Sequence, residues 1–284
     1  MTSSTKRLFT LAALGLTAAL VLPQSATATS QTGETAKLRK PRIDRTIQDP
    51  RINESSGLAR SAYLRHRLWT HNDSGGGNTL YALGRRGRTA KTYQVLDVTH
   101  WDWEGMARAK RRGISYLFVG DIGDNARKKD SIFVSRVREP KPGRPSGSLR
   151  AVEYEFKYPD GAHDAETLMV RPGSLRIFIV TKGHDEDGAI YRAPKKLSTK
   201  HANRLTRLHR VSNGITDGTF LGRHGRFVIR GYPKAYLYSS MRDTTPRVFD
   251  LPTTGESITS GRGRGYVLIG SERRYSKVWR VPLP

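Results

Sequence analysis

The sequence predicts an all-β fold: a single β-propeller, with five blades favoured over six. Three observations predict it. An acid-led motif recurs five times, as Glu54-Ser-Ser-Gly-Leu58, Glu104-Gly-Met106, Glu166-Thr-Leu168, Asp217-Gly-Thr-Phe220 and Glu256-Ser-Ile258. Its starts are 50, 62, 51 and 39 residues apart, near the roughly 40–50 residues of one four-stranded blade. Between the starts, short apolar runs rich in Val, Ile, Phe and Tyr alternate with Gly, Asp and Asn, and no long amphipathic helical pattern intervenes.

Taken in order, the chain opens with Lys6-Arg7, an apolar stretch over 8–22 and the small-x-small triplet Ala26-Thr-Ala28. That order of basic, apolar and small residues marks a secretory signal peptide over 1–28. The apolar stretch is shorter than the about 20 residues that span a bilayer, so no transmembrane segment is expected. Residues 29–36 are rich in Thr, Ser and Gln and read as a disordered start, ahead of a propeller domain over 37–284. The expected product is secreted, extracellular and monomeric. The chain has no cysteine, which removes disulfides and a cysteine-borne lipid anchor; its core must supply the stability.

Each repeat start is followed by a second apolar run: Arg67–Thr70, Ile114–Val119, Leu175–Thr181, Arg226–Ile229 and Gly265–Ile269. A third follows at Thr79–Leu83, Ser131–Val134, Ala189–Tyr191, Ala235–Tyr238 and Lys277–Val281. Fourth strands fit at Lys91–Leu96, Leu149–Phe156, Leu205–Val211 and Arg247–Leu251, but the fifth repeat ends before one can form. The segment Leu38–Ile47 precedes the first repeat and has no blade of its own. Ring closure resolves both facts: this strand becomes the outer strand of the last blade, leaving no open seam. Six blades become the alternative if the long interval from 104 to 166 hides further strands.

The formal charge is +25, with 50 basic and 25 acidic residues, and arginine supplies 35 of the basic ones. Charge of this sign attracts polyanions. Arginine-favouring codon usage gives the same composition. The basic residues are spread along the chain, with only short clusters at Lys110-Arg-Arg112 and Arg127-Lys-Lys129. The expectation is a basic exterior around an acidic pit, binding polyanions such as a cell-wall polymer weakly and without sequence preference, through counterion release.

The candidate site follows from the repeat. Acids at the starts, and polar residues ending each second strand (His71-Asn-Asp73, Asp121 to Asn125, Thr181-Lys182, Arg230, Ser271-Glu272), fall near one end of the inner strands, where they converge on a propeller axis. The candidate ligand-binding residues are Glu54, Asn72, Asp73, Glu104, Asp121, Glu166, Lys182, Arg230 and Glu256. Crowded carboxylates repel, so Lys182, Arg230 or a metal must compensate. Asn72-Asp-Ser-Gly75 and Asp121-Ile-Gly-Asp-Asn125 are oxygen-rich loops of the kind that suits calcium, with Asp73, Asp121 and Asn125 as candidate ligands. Plain Asx turns account for the same loops, and bonds from the acids to backbone amides of a neighbouring blade account for the repeat without any ligand. Trp101, Trp103 and Tyr232 offer aromatic platforms or packing. The histidines show no zinc spacing, and Gly-x-Ser-x-Gly is absent.

The strings Glu54-Ser-Ser-Gly57, Trp69-Thr-His-Asn-Asp-Ser-Gly75, Asp102-Trp-Glu104, Val119-Gly-Asp-Ile-Gly-Asp-Asn125 and Arg138-Glu-Pro140 resemble those of exported bacterial β-propellers, a group described as WD40-like or esterase/phytase-like. Asp164-Ala-Glu166, Thr181-Lys182, Arg230-Gly-Tyr232 and Gly255-Glu-Ser257 extend the resemblance over most of residues 53–272. It implies a propeller and export, and no particular reaction. Two functions remain open: a binding module whose carboxylate-rich axial site takes a small molecule, saccharide or cation, with calcium the cation suited; or an extracellular, metal-assisted hydrolase of phosphate esters, lactones or glycosides.

Overall fold

The computed structural model describes residues 40–284, apart from 74, 100, 185 and 264. The proposed leader over 1–28 and the segment 29–36 lie outside the described residues. Among those described there is no helix.

The strands form five antiparallel blades around an axis. Blade 1 runs from Ser55–Arg60 through Leu68–Asn72 and Thr79–Leu83 to Thr89–Leu96; blade 2 from Trp103–Arg111 through Ile114–Asp121 and Ile132–Arg138 to Val152–Lys157. Blade 3 comprises Ala165–Arg171, Arg176–Thr181, Gly188–Arg192 and Thr206–Val211; blade 4 comprises Asp217–Phe220, Phe227–Arg230, Lys234–Tyr238 and Arg247–Asp250. Blade 5 has Ser257–Ser260, Tyr266–Gly270 and Lys277–Pro282, completed by the N-terminal strand Arg42–Thr46, which pairs antiparallel with Lys277–Pro282. The first strand of every blade packs against the first strands of both neighbours, closing the ring.

Burial follows from this arrangement. The innermost strand Ser55–Arg60 is buried at every position, while the outermost Arg247–Asp250 is mostly exposed. Blade faces bury alternate side chains against each other, giving one apolar cluster at each of the five interfaces. The closing interface, between blades 5 and 1, holds Ile47, Ile52, Leu58, Leu68, Leu268 and Val278. Arg45 locks it further: its buried guanidinium donates to the carbonyls of His66 and Gly84, each at 2.7 Å.

One feature departs from simple four-stranded blades. The run expected as a single strand over Leu149–Phe156 is split in two. Gly147–Arg150 joins the outer edge of blade 1, parallel to Thr89–Leu96, and Val152–Lys157 stays in blade 2. Blade 2 in turn receives Asn203–Arg204 from the chain leading into the last strand of blade 3, also parallel. These short additions cover two sheet edges that would otherwise present unpaired backbone groups.

Candidate functional site: an acidic axial pit

The inner strands begin, and the second strands end, at the same mouth of the ring. The register makes this plain: Ser55 faces Asn72, Trp103 faces Asp121, Ala165 faces Thr181, Asp217 faces Arg230 and Ser257 faces Gly270. Just inside this row, blades 1 to 3 carry β-bulges. Ser56 is the extra residue in blade 1, Glu104 with Gly105 in blade 2, and Glu166 in blade 3. A bulge re-aims the side chain it carries, and here it turns Glu104 and Glu166 together. Gly105 makes the approach possible, because a Cβ there would lie 2.4 Å from the Leu168 amide nitrogen and 2.8 Å from the Glu166 carbonyl oxygen.

The structural equivalent of these two acids in blade 1 is therefore Ser56, not Glu54, and its hydroxyl donates to Glu104 Oε2 at 3.1 Å. Blades 4 and 5 have no such bulge. The five acids of the sequence repeat thus occupy three kinds of position. The repeat is real, but its local register drifts by a residue or two, which spacing alone does not reveal.

Carboxylate oxygens of Glu104, Glu166 and Glu256 lie within 4.8 Å of one another, and the same holds for Asp73, Asp102 and Glu104. Glu104 belongs to both groups. Glu272 lines the same cleft as Glu256. Against these acids stand Lys182, whose Nζ lies 2.5 Å from Glu166 Oε1, and Lys129, 3.4 Å from Asp121 and 3.8 Å from Asp102. Tyr232 donates its hydroxyl to Glu256 at 3.1 Å. Beside Glu256 and Glu272 opens a cleft of about 320 Å³, also lined by Tyr232 and Arg273.

The electrostatics follow from burial and crowding. Glu104 and Glu166 are each 3 % exposed. Burial, then the Glu166 and Asp73 charges, push the Glu104 carboxyl well above the ordinary range. Burial likewise raises Glu166, to about 7, with Lys182 pulling the other way. Burial and Glu256 push Glu272 to about 8. Burial would lower the Lys182 ammonium, but the Glu166 carboxylate outweighs it and holds the proton more tightly than usual. The pit therefore stores protons at neutral pH, because it holds more carboxyls than cations.

Other candidate residues lie elsewhere or spend their polar atoms on the fold. Asn72 accepts from the Glu54 amide at 3.3 Å and donates to the Arg51 carbonyl at 2.7 Å. Glu54 is half-buried, with its backbone tied to Asn72 and Asp73. Asp121 accepts from the amides of Trp101 and Asp102 at 2.7 and 3.2 Å. Arg230 is fully buried and donates to the carbonyls of Ser257, Gly270 and Thr253. Asp217 accepts from the amides of Gly218 and Ile258, both at 2.7 Å, stitching blade 4 to blade 5. Asn125 is exposed. Among the described residues, Asp73 joins a group of three acids able to share a cation, and Asp121 does not.

Asp102 and Glu272 complete the pit and were not singled out as ligands from sequence. The signal for Glu272 was present: it follows the second strand of the last repeat much as Asp73 follows that of the first. Trp103 is fully buried, whereas Trp101 is 61 % and Tyr232 39 % exposed beside the acids. Those two are the aromatic faces open to a ligand.

No protein-family model matches the chain, and no curated protein matches it. Among solved structures, the crystal structure of Myxococcus xanthus glutaminyl cyclase is similar over 86 % of this chain and 96 % of that one, with 11 % sequence identity and a TM-score of 0.47. The architecture of this chain rests on its own strand pairing: a five-bladed, all-β propeller with an acid cluster at one mouth of its axis.

Proposed function

We propose that the axial pit binds a divalent cation of the calcium type and presents it to a ligand entering between Trp101 and Tyr232. The observation that carries this reading is the shared position of Glu104, within reach of Asp73 and Asp102 on one side and of Glu166 and Glu256 on the other. Hard cations take oxygen-only ligand sets of this kind. The elevated proton affinity of Glu104 and Glu166 supports it too, since a cation relieves the repulsion that protons otherwise neutralise. The reading sets the site outside the cell, following the leader signature of residues 1–28.

Calorimetric titration with calcium, magnesium, manganese and zinc tests it. Expected is calcium binding in the range of about 0.1–1 mM, typical of extracellular modules, with protons released. Glu104→Gln should weaken it by about 100-fold or more, beyond what loss of a supporting partner usually costs. Absence of heat and of any thermal shift with all four ions would sink the proposal.

One observation favours a second reading, a metal-assisted hydrolase. Glu166 near 7 beside Glu104 is a carboxyl pair poised for acid–base work at neutral pH, with Lys182 available to offset developing negative charge. Oxygens of the two carboxyls lie within 4.8 Å of each other, tighter than the about 5–5.5 Å at which the carboxyls of retaining enzymes flank a glycosidic bond. Phosphate esters and lactones suit the pair better. A chromogenic panel with and without calcium tests this; uniform inactivity removes it.

A further inference from the structure

The opposite mouth of the ring has the opposite charge. Glu104 and Glu166 sit near the starts of their strands, while Arg111 and Arg171 end those same strands. Between blades 3 and 4 this end opens into a groove of about 1000 Å³. Arg171 and Arg176 face each other directly across two strands of blade 3, and Arg192 follows opposite Phe178. Arg111, Lys195 and Arg242 extend the cationic wall, and no carboxylate lines it.

Like charges set opposite each other in a sheet are unfavourable, so something should offset them. Elsewhere in the molecule carboxylates do so: Arg45 has Asp44, Arg51 has Asp49 and Arg150 has Asp97. In the groove, Arg207 has Asp160 at 3.4 Å, whereas Arg171, Arg176, Arg192, Arg111, Arg242 and Lys195 form no ion pair with any described residue. Three buried nitrogens that line it also lack any hydrogen-bond partner: the Nε atoms of Arg171, Arg176 and Arg192. Burial, then the Arg192 charge, lowers the proton affinity of the Arg176 guanidinium. Buried donors without acceptors are rare in folded chains, and here they gather in one place.

We propose that this groove is a shaped binding site for a linear phosphate-bearing polyanion, with Arg171, Arg176 and Arg192 as its central forks. Guanidinium forks match phosphate oxygens two at a time. The volume far exceeds a single phosphate, so the fitting ligand is a run of anionic units, and Phe178, Leu208 and Met241 supply an apolar floor. The site is distinct from the acidic pit and does not rest on the function proposed for it. It also departs from the diffuse attraction expected of the overall charge, because the unpaired cations are concentrated and geometrically fixed.

The test is binding of fluorescent inorganic polyphosphate, with a single-stranded oligonucleotide and a sulfated glycan of matched charge as the other arms. Preference for either phosphate chain over the glycan supports the proposal and identifies the source; equal binding of the glycan overturns the phosphate assignment. The variant Arg176→Gln/Arg192→Gln should lose about five- to tenfold in affinity per arginine near 0.1 M salt and flatten the salt slope. The control Arg85→Gln/Arg86→Gln removes the same charge from an exposed turn of blade 1 and should lose far less. Equal losses in both overturn the site. The first variant should melt no lower than the parent, since its donors lack partners; if it fails to fold, the exposed pair Arg111→Gln/Arg242→Gln decides by the same comparison.

Discussion

Glu104 and Glu166, carried on the bulged inner strands of adjacent blades, bring carboxylate oxygens within 4.8 Å of each other in a buried setting, so the two cannot both ionise freely. Lys182 pairs only with the second of them, at 2.5 Å. The proton therefore belongs chiefly to Glu104, and Glu166 carries the charge that Lys182 offsets. This asymmetry between two otherwise equivalent acids makes the pit a titratable device.

Stability should fall as pH rises. Glu104, Glu166 and Glu272 are all raised above their ordinary value of 4.5, the last two to about 7 and about 8. The folded state binds these protons more tightly than the unfolded chain, so their stabilisation is complete below pH 4.5 and lost as pH climbs through 8. Melting scans should show that decline without added metal. Glu272→Gln should flatten it and raise the melting temperature at pH 8 by about 2–4 °C, the shift that about 1 kcal/mol produces in a chain of this size. A melting temperature that rises from pH 5 to pH 8 contradicts the assignment.

Lys182 competes with any bound cation. Lys182→Gln should lift the Glu166 titration above 7, visible by carboxyl-carbon NMR. It should also tighten calcium binding by about tenfold, equivalent to about 1.4 kcal/mol. Weaker calcium binding would mean that the ammonium organises the site rather than opposing the ion.

The closing strand is predicted to be indispensable. Removing residues 40–48 strips Arg42–Thr46 from blade 5 and Ile47 from the last interface, and should abolish cooperative unfolding. The milder Ile47→Ala should cost about 2–5 kcal/mol in urea denaturation. An unchanged midpoint would show that the ring holds without its clasp.

Arg230 tests the other side of the ledger. Arg230→Ala leaves three carbonyls of blade 5 and its approach without a donor and deprives buried Asp217 of a nearby positive charge. The expected loss is about 3–5 kcal/mol. Arg230→Lys should not recover it, because one ammonium cannot span the same acceptors. Full stability in the alanine variant would return Arg230 to the list of ligand-facing groups.

The architecture was legible because propeller blades are local: each apolar run pairs with the next, and the leftover strand at Leu38–Ile47 had only one blade to complete. Convergence of Glu104, Glu166 and Glu256 was legible for the same reason. What the letters could not show was the bulge. One extra residue decides whether a side chain faces the axis or joins the ladder, which is why Glu54 and Ser56 exchange places and why Asp217 became a stitch between blades. The destination of Arg230 was hidden too, since three carbonyl acceptors leave no trace in side-chain spelling. The groove arginines Arg171, Arg176 and Arg192 sit on three consecutive strands, and only the register sets them on one face.

Export can be checked directly. Expressed with residues 1–28 in place in a secreting host, the protein is expected in the medium beginning at Thr29, by N-terminal sequencing. Retention in the cytoplasm with Met1 intact would refute the leader assignment.

The two short parallel strands bear on how such a ring can change over time. Because Gly147–Arg150 lends itself to blade 1 and Asn203–Arg204 to blade 2, the modules are interleaved rather than beaded. Duplicating or excising one repeat would leave a neighbour without its borrowed edge. Drift by substitution remains open to this lineage, whereas growth by whole units is obstructed over blades 1 to 3, and insertions should be tolerated best in the plain hairpins of blade 4.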